Sequence, residues 1–180
     1  SGSGDDANDG LTQATPLRNI QTALDRILKY RAVRSELYCN VHVTAGTYNE
    51  VLSIFKAHGA SGLKLRIIGA GKDQTIIESG APFTVHVINA YLEIGSLTIK
   101  SVNTGVRGSF SQVVVREVKF VGGSSTSCGI SIEEQGNGRP YDIEAAGTFG
   151  DVVYCGYQSC CIMEGRPTVN ATFGKFTFVQ

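Results

Sequence analysis

Tyr91-Leu-Glu-Ile-Gly-Ser-Leu-Thr-Ile-Lys100 decides how this chain is read. Leu92 and Ile94 alternate with polar neighbours, a tight bend follows at Gly95-Ser96, and Leu97 and Ile99 resume the same apolar side. Period two is the mark of a strand with one buried face. Such a unit cannot bury that face alone, so it calls for copies stacked above and below it.

The copies are present. An apolar-x-apolar signature recurs at Val41-His-Val43, Leu65-Arg-Ile67, Leu92-Glu-Ile94, Val113-Val-Val115, Ile143-Glu-Ala145 and Val169-Asn-Ala171, at intervals of 24, 27, 21, 30 and 26 residues. The best pair aligns Leu92 with Val113, Ile94 with Val115, Leu97 with Val118 and Ile99 with Phe120, with Gly95-Ser96 facing Arg116-Glu117. The second half of the Ile143 copy, around Thr148 to Asp151, has no clear register. Further strands precede the signatures at Thr84–Ile88, Gly105–Ser109, Gly129–Glu133 and Cys160–Met163, which gives three strands per coil. The expectation is an all-β protein: a parallel β-helix of about six coils, one strand spacing of about 4.8 Å apart. An antiparallel sandwich is the alternative, but repeats in phase are not expected of one.

The bulk numbers agree with a globular domain of many turns. The 180 residues are 42% hydrophobic and 18% charged, with 22 glycines and formal net charge zero. Zero net charge gives no reason to expect nucleic acid as a partner. No apolar run is long enough to insert into a bilayer, and no signal-peptide pattern opens the sequence. The thiols of Cys39, Cys128, Cys155, Cys160 and Cys161 show no metal-ligand spacing with histidines. They read as small core residues, with Cys160 and Cys161 on opposite faces of a strand, and suit a reducing compartment.

Three segments follow from the pattern. Residues 1–12 form a linker and turn, in which Asp5 to Gly10 reads as an Asx-rich turn and not as a calcium loop. Residues 13–35 hold an amphipathic helix, capped by Thr15 with Pro16 at its first position and Leu17, Ile20, Leu24, Ile27 and Leu28 on one face. That helix would lid the open end of the apolar stack. Residues 36–180 form the coils, with polar loops at 122–127 and 135–140 and a β-turn at Gly69–Gln74. Phe176 and Phe178 lie in an uncapped apolar strand at the end of the sequence, which predicts either an oligomer contact there or, the preferred reading, the front piece of a longer chain.

Gly4-Asp-Asp-Ala-Asn-Asp-Gly-Leu-Thr12, Thr15-Pro-Leu-Arg-Asn-Ile-Gln-Thr-Ala-Leu24 and Val41-His-Val-Thr-Ala-Gly-Thr-Tyr-Asn-Glu50 resemble the opening of pectate-lyase-like right-handed β-helix proteins. Leu17 and Asn19 stand where that pattern usually has Phe and Thr. Phage tailspikes and tail fibres, and secreted polysaccharide lyases, share this look. The resemblance implies the fold, and two functions. One is a virion component, a homotrimer made in the host cytoplasm, that binds bacterial surface polysaccharide. The other is a polysaccharide-degrading enzyme, a tailspike glycosidase or a secreted lyase.

Stacked coils align side chains into rows. The middle signature residues His42, Arg66, Glu93, Val114, Glu144 and Asn170 form one expected row, with Arg66 and Glu93 a surface ion pair of small value. Aligning Ile132-Glu133 with Met163-Glu164 places two carboxylates on adjacent coils at about 5 Å, the separation of a retaining glycosidase. Glu133 and Glu164 are therefore the candidate catalytic pair. Arg139 and Arg166 suit acidic sugars, Asp142 and Asp151 are further polar candidates, and Tyr91, Tyr141, Tyr154 and Tyr157 can stack on sugar rings. No cofactor is expected, and no cluster of Asp residues suggests calcium.

Overall fold

A computed structural model describes residues 4–29, 38–55, 64–156, 158–165, 168–173 and 177–178. One helix, α1 (Ile20–Lys29), precedes the strands β1 (Tyr38–Val43), β2 (Gly46–Asn49) and β3 (Leu52–Phe55). Next come β4 (Lys64–Gly69), β5 (Thr75–Ser79), β6 (Phe83–Ile88), β7 (Tyr91–Ser101) and β8 (Thr104–Ser109). Then follow β9 (Gln112–Gly123), β10 (Cys128–Glu133), β11 (Asn137–Tyr141), β12 (Glu144–Phe149) and β13 (Asp151–Cys155). The last are β14 (Cys160–Cys161), β15 (Thr168–Phe173) and β16 (Thr177–Phe178).

Every pairing between these strands is parallel, and each joins one coil to the next. The first face runs β1-β4-β7-β9-β11-β14, and the third runs β3-β6-β8-β10-β13-β16. Between them lies a second face of β2, β5, the far halves of β7 and β9, β12 and β15. Ile94 sits directly on Val115, with Leu92 on Val113, Leu97 on Val118 and Ile99 on Phe120, as the repeat predicted. The bends are made by left-handed residues: Ser96, Glu117, Asp142 and Gly165 have φ of 54°, 51°, 46° and 82°. Gly165 lacks the Cβ that would strike the Asp142 carboxylate.

The core fills the space between the faces. Leu65, Leu92 and Val113 form one inner row, Ile67, Ile94 and Val115 another, and Leu52, Val85, Val106, Ile130 and Val153 a third opposite them. All of these are nearly or fully buried. Each such side chain stabilises the fold by about 1.5–3 kcal/mol through its removal from water.

Helix α1 begins later than Thr15-Pro16 predicts. Thr15 instead donates its hydroxyl to Asp9 at 2.6 Å, inside the opening turn. Leu17 lies in that turn against Gly10, outside the helix. Asp6 accepts the N–H groups of Arg18 and Asn19 at 2.9 Å, and Glu50 accepts those of Ile20 at 3.0 Å and Gln21 at 2.9 Å. Two carboxylates thus satisfy the orphan donors of the helix start. The helix buries Ile20 and Leu24 on the core, with Ile27 and Leu28 packed beside them. Gln21 pairs with β3: its amide accepts from Ser53 N at 2.8 Å and donates to Ser53 O at 3.1 Å. Among the described residues β3 is the last strand of its sheet, and Gln21 takes up hydrogen-bonding groups on that edge.

Acid should loosen this lid. Hydrogen bonds from the Asn19 backbone, ahead of the one from Arg18, hold the Asp6 carboxyl below the usual carboxylate range. A lowered folded pKa adds stability that is complete above the unfolded value of about 3.9 and fades as pH falls through the folded value. Asp6→Asn is expected to lower Tm at pH 6, and the gap from the parent should close toward pH 2. A gap that is constant with pH would show that Asp6 acts only through its shape.

Several sequence expectations fail in register. Val41 pairs with Ile67, so the first signature is two residues out of step. The stretch 135–140 is no mere loop, because Asn137–Tyr141 is β11 and lies on Gln112–Arg116. The fifth coil's signature is therefore Gly138-Arg-Pro140, and Ile143-Glu-Ala145 belongs to the second face. Glu144 accordingly pairs with Lys119 and leaves the row of Glu93. Cys160-Cys161 lies on β11, so it starts a coil and does not precede one. Helix residues after Lys29 and Phe176 lie outside the described residues.

Candidate functional site

The outer side of the first face carries three rows of side chains. One row runs Tyr38, Lys64, Tyr91, Gln112, Asn137 and Cys160. The next runs Asn40, Arg66, Glu93, Val114 and Arg139. The third runs His42, Ile68, Gly95, Arg116, Tyr141 and Glu164. Successive members stand one strand spacing apart, about 4.8 Å, on a backbone that is hydrogen-bonded on both sides. Side chains placed this way are held at fixed intervals, which is what binding an extended polymer requires.

Charge and rings are interlocked across the rows. Glu93, whose side chain is 12% exposed, takes Arg66 at 2.9 Å on one oxygen and Arg116 at 3.0 Å on the other. Arg116 lies over the Tyr141 ring at 4.1 Å, and Arg66 over Tyr38 at 4.8 Å. Lys64 stands 5.0 Å from the Tyr38 ring and 5.8 Å from that of Tyr91. Burial, with the Glu93 charge second, pushes the Tyr91 hydroxyl up. The guanidiniums are part-exposed, so these pairs add little to stability and act chiefly to fix the rings. A groove of about 270 Å³ runs along the bend, lined by Arg66, Gly95, Ser96, Arg116, Tyr141 and Asp142 among others.

The expected site residues divide between faces. Arg139, Tyr141, Asp142 and Glu164 come together on the first face and its bend, where Asp142 N donates to Glu164 O at 3.4 Å. Glu133 does not join them. It ends β10 on the third face beside Ser109, and accepts from Arg107 at 2.6 Å and from Ser131 at 2.7 Å. Ile132 pairs with Cys155, so the alignment that set Glu133 next to Glu164 is not formed. The cause is the shifted fifth coil: β13 and not Cys160–Met163 is the strand above β10. Asp151 opens β13 beside Cys128 on the third face, and Tyr154 lies in the same strand. Tyr157 and Arg166 lie outside the described residues.

The sequence reading passed over Tyr38, Gln112, Asn137 and Arg116. Only the observed register puts Tyr38, Gln112 and Asn137 in one row and Arg116 beside Tyr141 in another. The five thiols are unpaired, with Cys160 exposed and Cys161 turned to the core. Burial pushes the Cys128 thiol up to about 12, so it is inert at neutral pH. Among the described residues no three His, Cys, Asp or Glu side chains are grouped to hold a metal. No helix among them is long and apolar enough to cross a membrane.

No family model and no curated protein matches the chain. Among solved structures it is similar to pectin methylesterase PemA from Erwinia chrysanthemi, at 12% identity and a TM-score of 0.56 over 85% of this chain. The chain spans about half of that structure, 52% of its length. A pectin methylesterase in complex with a hexasaccharide (11% identity, 84% of this chain and 67% of that one) and one from Aspergillus niger (13%, 88% and 84%) both give a TM-score of 0.44. What the chain shares with the Erwinia structure is the fold, a right-handed parallel β-helix.

Proposed function

We propose that this β-helix is a polysaccharide-binding module whose first face holds an extended bacterial surface polysaccharide along the coil axis. The observation that carries the reading is the set of aligned outer rows, in which Tyr38, Tyr91 and Tyr141 alternate with Lys64, Arg66, Arg116 and Arg139. Rings supply stacking surfaces for pyranoses, and guanidiniums take carboxylated sugars in bidentate fashion. The basic groups outnumber Glu93 and Glu164 on these rows, which favours an acidic polymer. In this reading the protein serves as the receptor-binding part of a phage tail, assembled as a homotrimer in the virion.

Calorimetry against purified capsular and O-antigen polysaccharides tests it. Acidic polymers should bind, and Tyr141→Ala and Arg139→Ala should each weaken binding about tenfold, the loss of about 1.4 kcal/mol. Sedimentation of the full chain tests the trimer. No binding by any polymer, or binding untouched by both substitutions, sinks the proposal.

A second reading is a polysaccharide-degrading enzyme. It is favoured by the convergence of Arg116, Tyr141, Asp142 and Glu164 at the bend of the same face, and by a fold neighbour whose name is pectin methylesterase. Release of reducing ends or of acid from the bound polymer would support it. Release that survives Asp142→Asn with Glu164→Gln would discard those two carboxylates.

A further inference from the structure

The bend between the third and first faces carries a feature that the first face does not explain. Its left-handed positions are Asn89, Phe110, Glu134, Gln135 and Gln158, with φ of 52°, 50°, 55°, 64° and 60°. Asparagine tolerates that region, whereas a bulky ring does so at a cost. Phe110 nevertheless stands there with its residue surface 55% exposed. A ring that exposed adds little to the core, and its backbone is strained to hold it out.

The strain is enforced by the surroundings. Phe110 N donates to Glu134 O at 3.2 Å, and Asn89 N to Ser109 O at 3.0 Å. The buried Ser111 hydroxyl donates to Ser109 O at 2.6 Å and lies 3.2 Å from Val87 O, while Ala90 N donates to it at 3.3 Å. The turn is therefore fixed before any ligand arrives. Exposed amides flank the ring along the same edge: Asn89 lies one coil before it, and Gln135 and Gln158 lie after it, bonded to each other at 3.2 Å. Gln112, two residues past Phe110, belongs to the outer row of Tyr91 and Asn137, so the edge is continuous with the first face.

We infer that this edge is a second contact zone for the polymer bound on the first face, one that takes a neutral pyranose with Phe110 as its stacking platform. The inference rests on the polysaccharide-binding reading above and adds the class of sugar. An aromatic ring meets the C–H face of a sugar, and side-chain amides bond its hydroxyls in either direction. The exposed Glu134 carboxylate beside Phe110 disfavours an acidic sugar here. The preferred polymer therefore carries neutral hexoses beside its acidic residues.

Phe110→Asn separates a binding ring from a packing ring. Asparagine relaxes the left-handed backbone, so Tm should rise by about 2 °C. The affinity for capsular or O-antigen polysaccharides that contain both uronic acid and neutral hexose should fall five- to tenfold, by about 1 kcal/mol or more. Phe110→Tyr keeps the ring and should keep the affinity. Stability and binding moving in opposite directions is the expected result. If Phe110→Asn lowers Tm by several degrees, the ring is a packing residue and the inference is overturned. If Tyr141→Ala weakens binding and Phe110→Asn does not, this zone alone is wrong. If the parent protein binds none of the polymers, the first-face reading falls and this zone with it.

Discussion

Phe120→Ala is expected to destabilise the protein by about 3–5 kcal/mol, the cost of emptying a large ring from a packed core. Phe120 is 1% exposed and stands in β9 between Ile99 and Ala145 of the adjacent coils. Its ring reaches across the interior to the third face, where a Cβ on Gly105 would lie 3.0 Å from it and one on Gly129 would lie 3.4 Å from it. Two glycines thus make the space that one phenylalanine fills. The coils on either side are hydrogen-bonded along their length, so the backbone cannot close in on the void. Urea titration should show a lower midpoint at an unchanged slope. Val121→Ala, at the next outward position of the same strand, should change stability by no more than about 0.5 kcal/mol. A loss under 1 kcal/mol for Phe120→Ala would mean that the interior rearranges freely. A shallower slope would mean that the coils melt one at a time, as repeat arrays can.

The parallel stack was legible because the coils of β7 and β9 spell it twice in the same order. Leu92, Ile94, Leu97 and Ile99 have partners 21 residues on, and the pairing in space is the pairing in sequence. The lid was legible as an amphipathic run, but its start was not. Asp6 and Glu50 cap it from 13 and 30 residues away, so no local cap pattern marks Ile20. The Arg66–Glu93 pair was readable because both lie in coils with an intact signature. Its third member, Arg116, was not, because it bonds across one coil and one row at once. The fifth coil was misread for a different reason. Large apolar residues mark an inner row only where the side chain that fills the space comes from that row.

That reason makes the second large effect a coupled one. Gly138 and Pro140 hold the inner places of β11, where the second, third and fourth coils have Leu65 and Ile67, Leu92 and Ile94, and Val113 and Val115. A Cβ on Gly138 would lie 2.7 Å from Ile132 Cγ1 and 2.7 Å from Cys161 Sγ. Ile132 arrives from the third face, and a Cβ on Gly108 would also lie 3.2 Å from its Cδ1. With Gly136, whose Cβ would lie 2.7 Å from Ile132 Cγ2, one isoleucine thus occupies the volume that three glycines leave free. Gly138→Val should cost about 1–3 kcal/mol by overpacking, and Ile132→Ala about 2–5 kcal/mol by leaving a void. Together they exchange volume across the interior, so the double variant should be more stable than the sum of the two losses by about 1 kcal/mol or more. Additive losses would show that β11 is held by its hydrogen bonds and not by Ile132. In that case the face that carries Arg139 and Tyr141 would owe its position to the ladder alone.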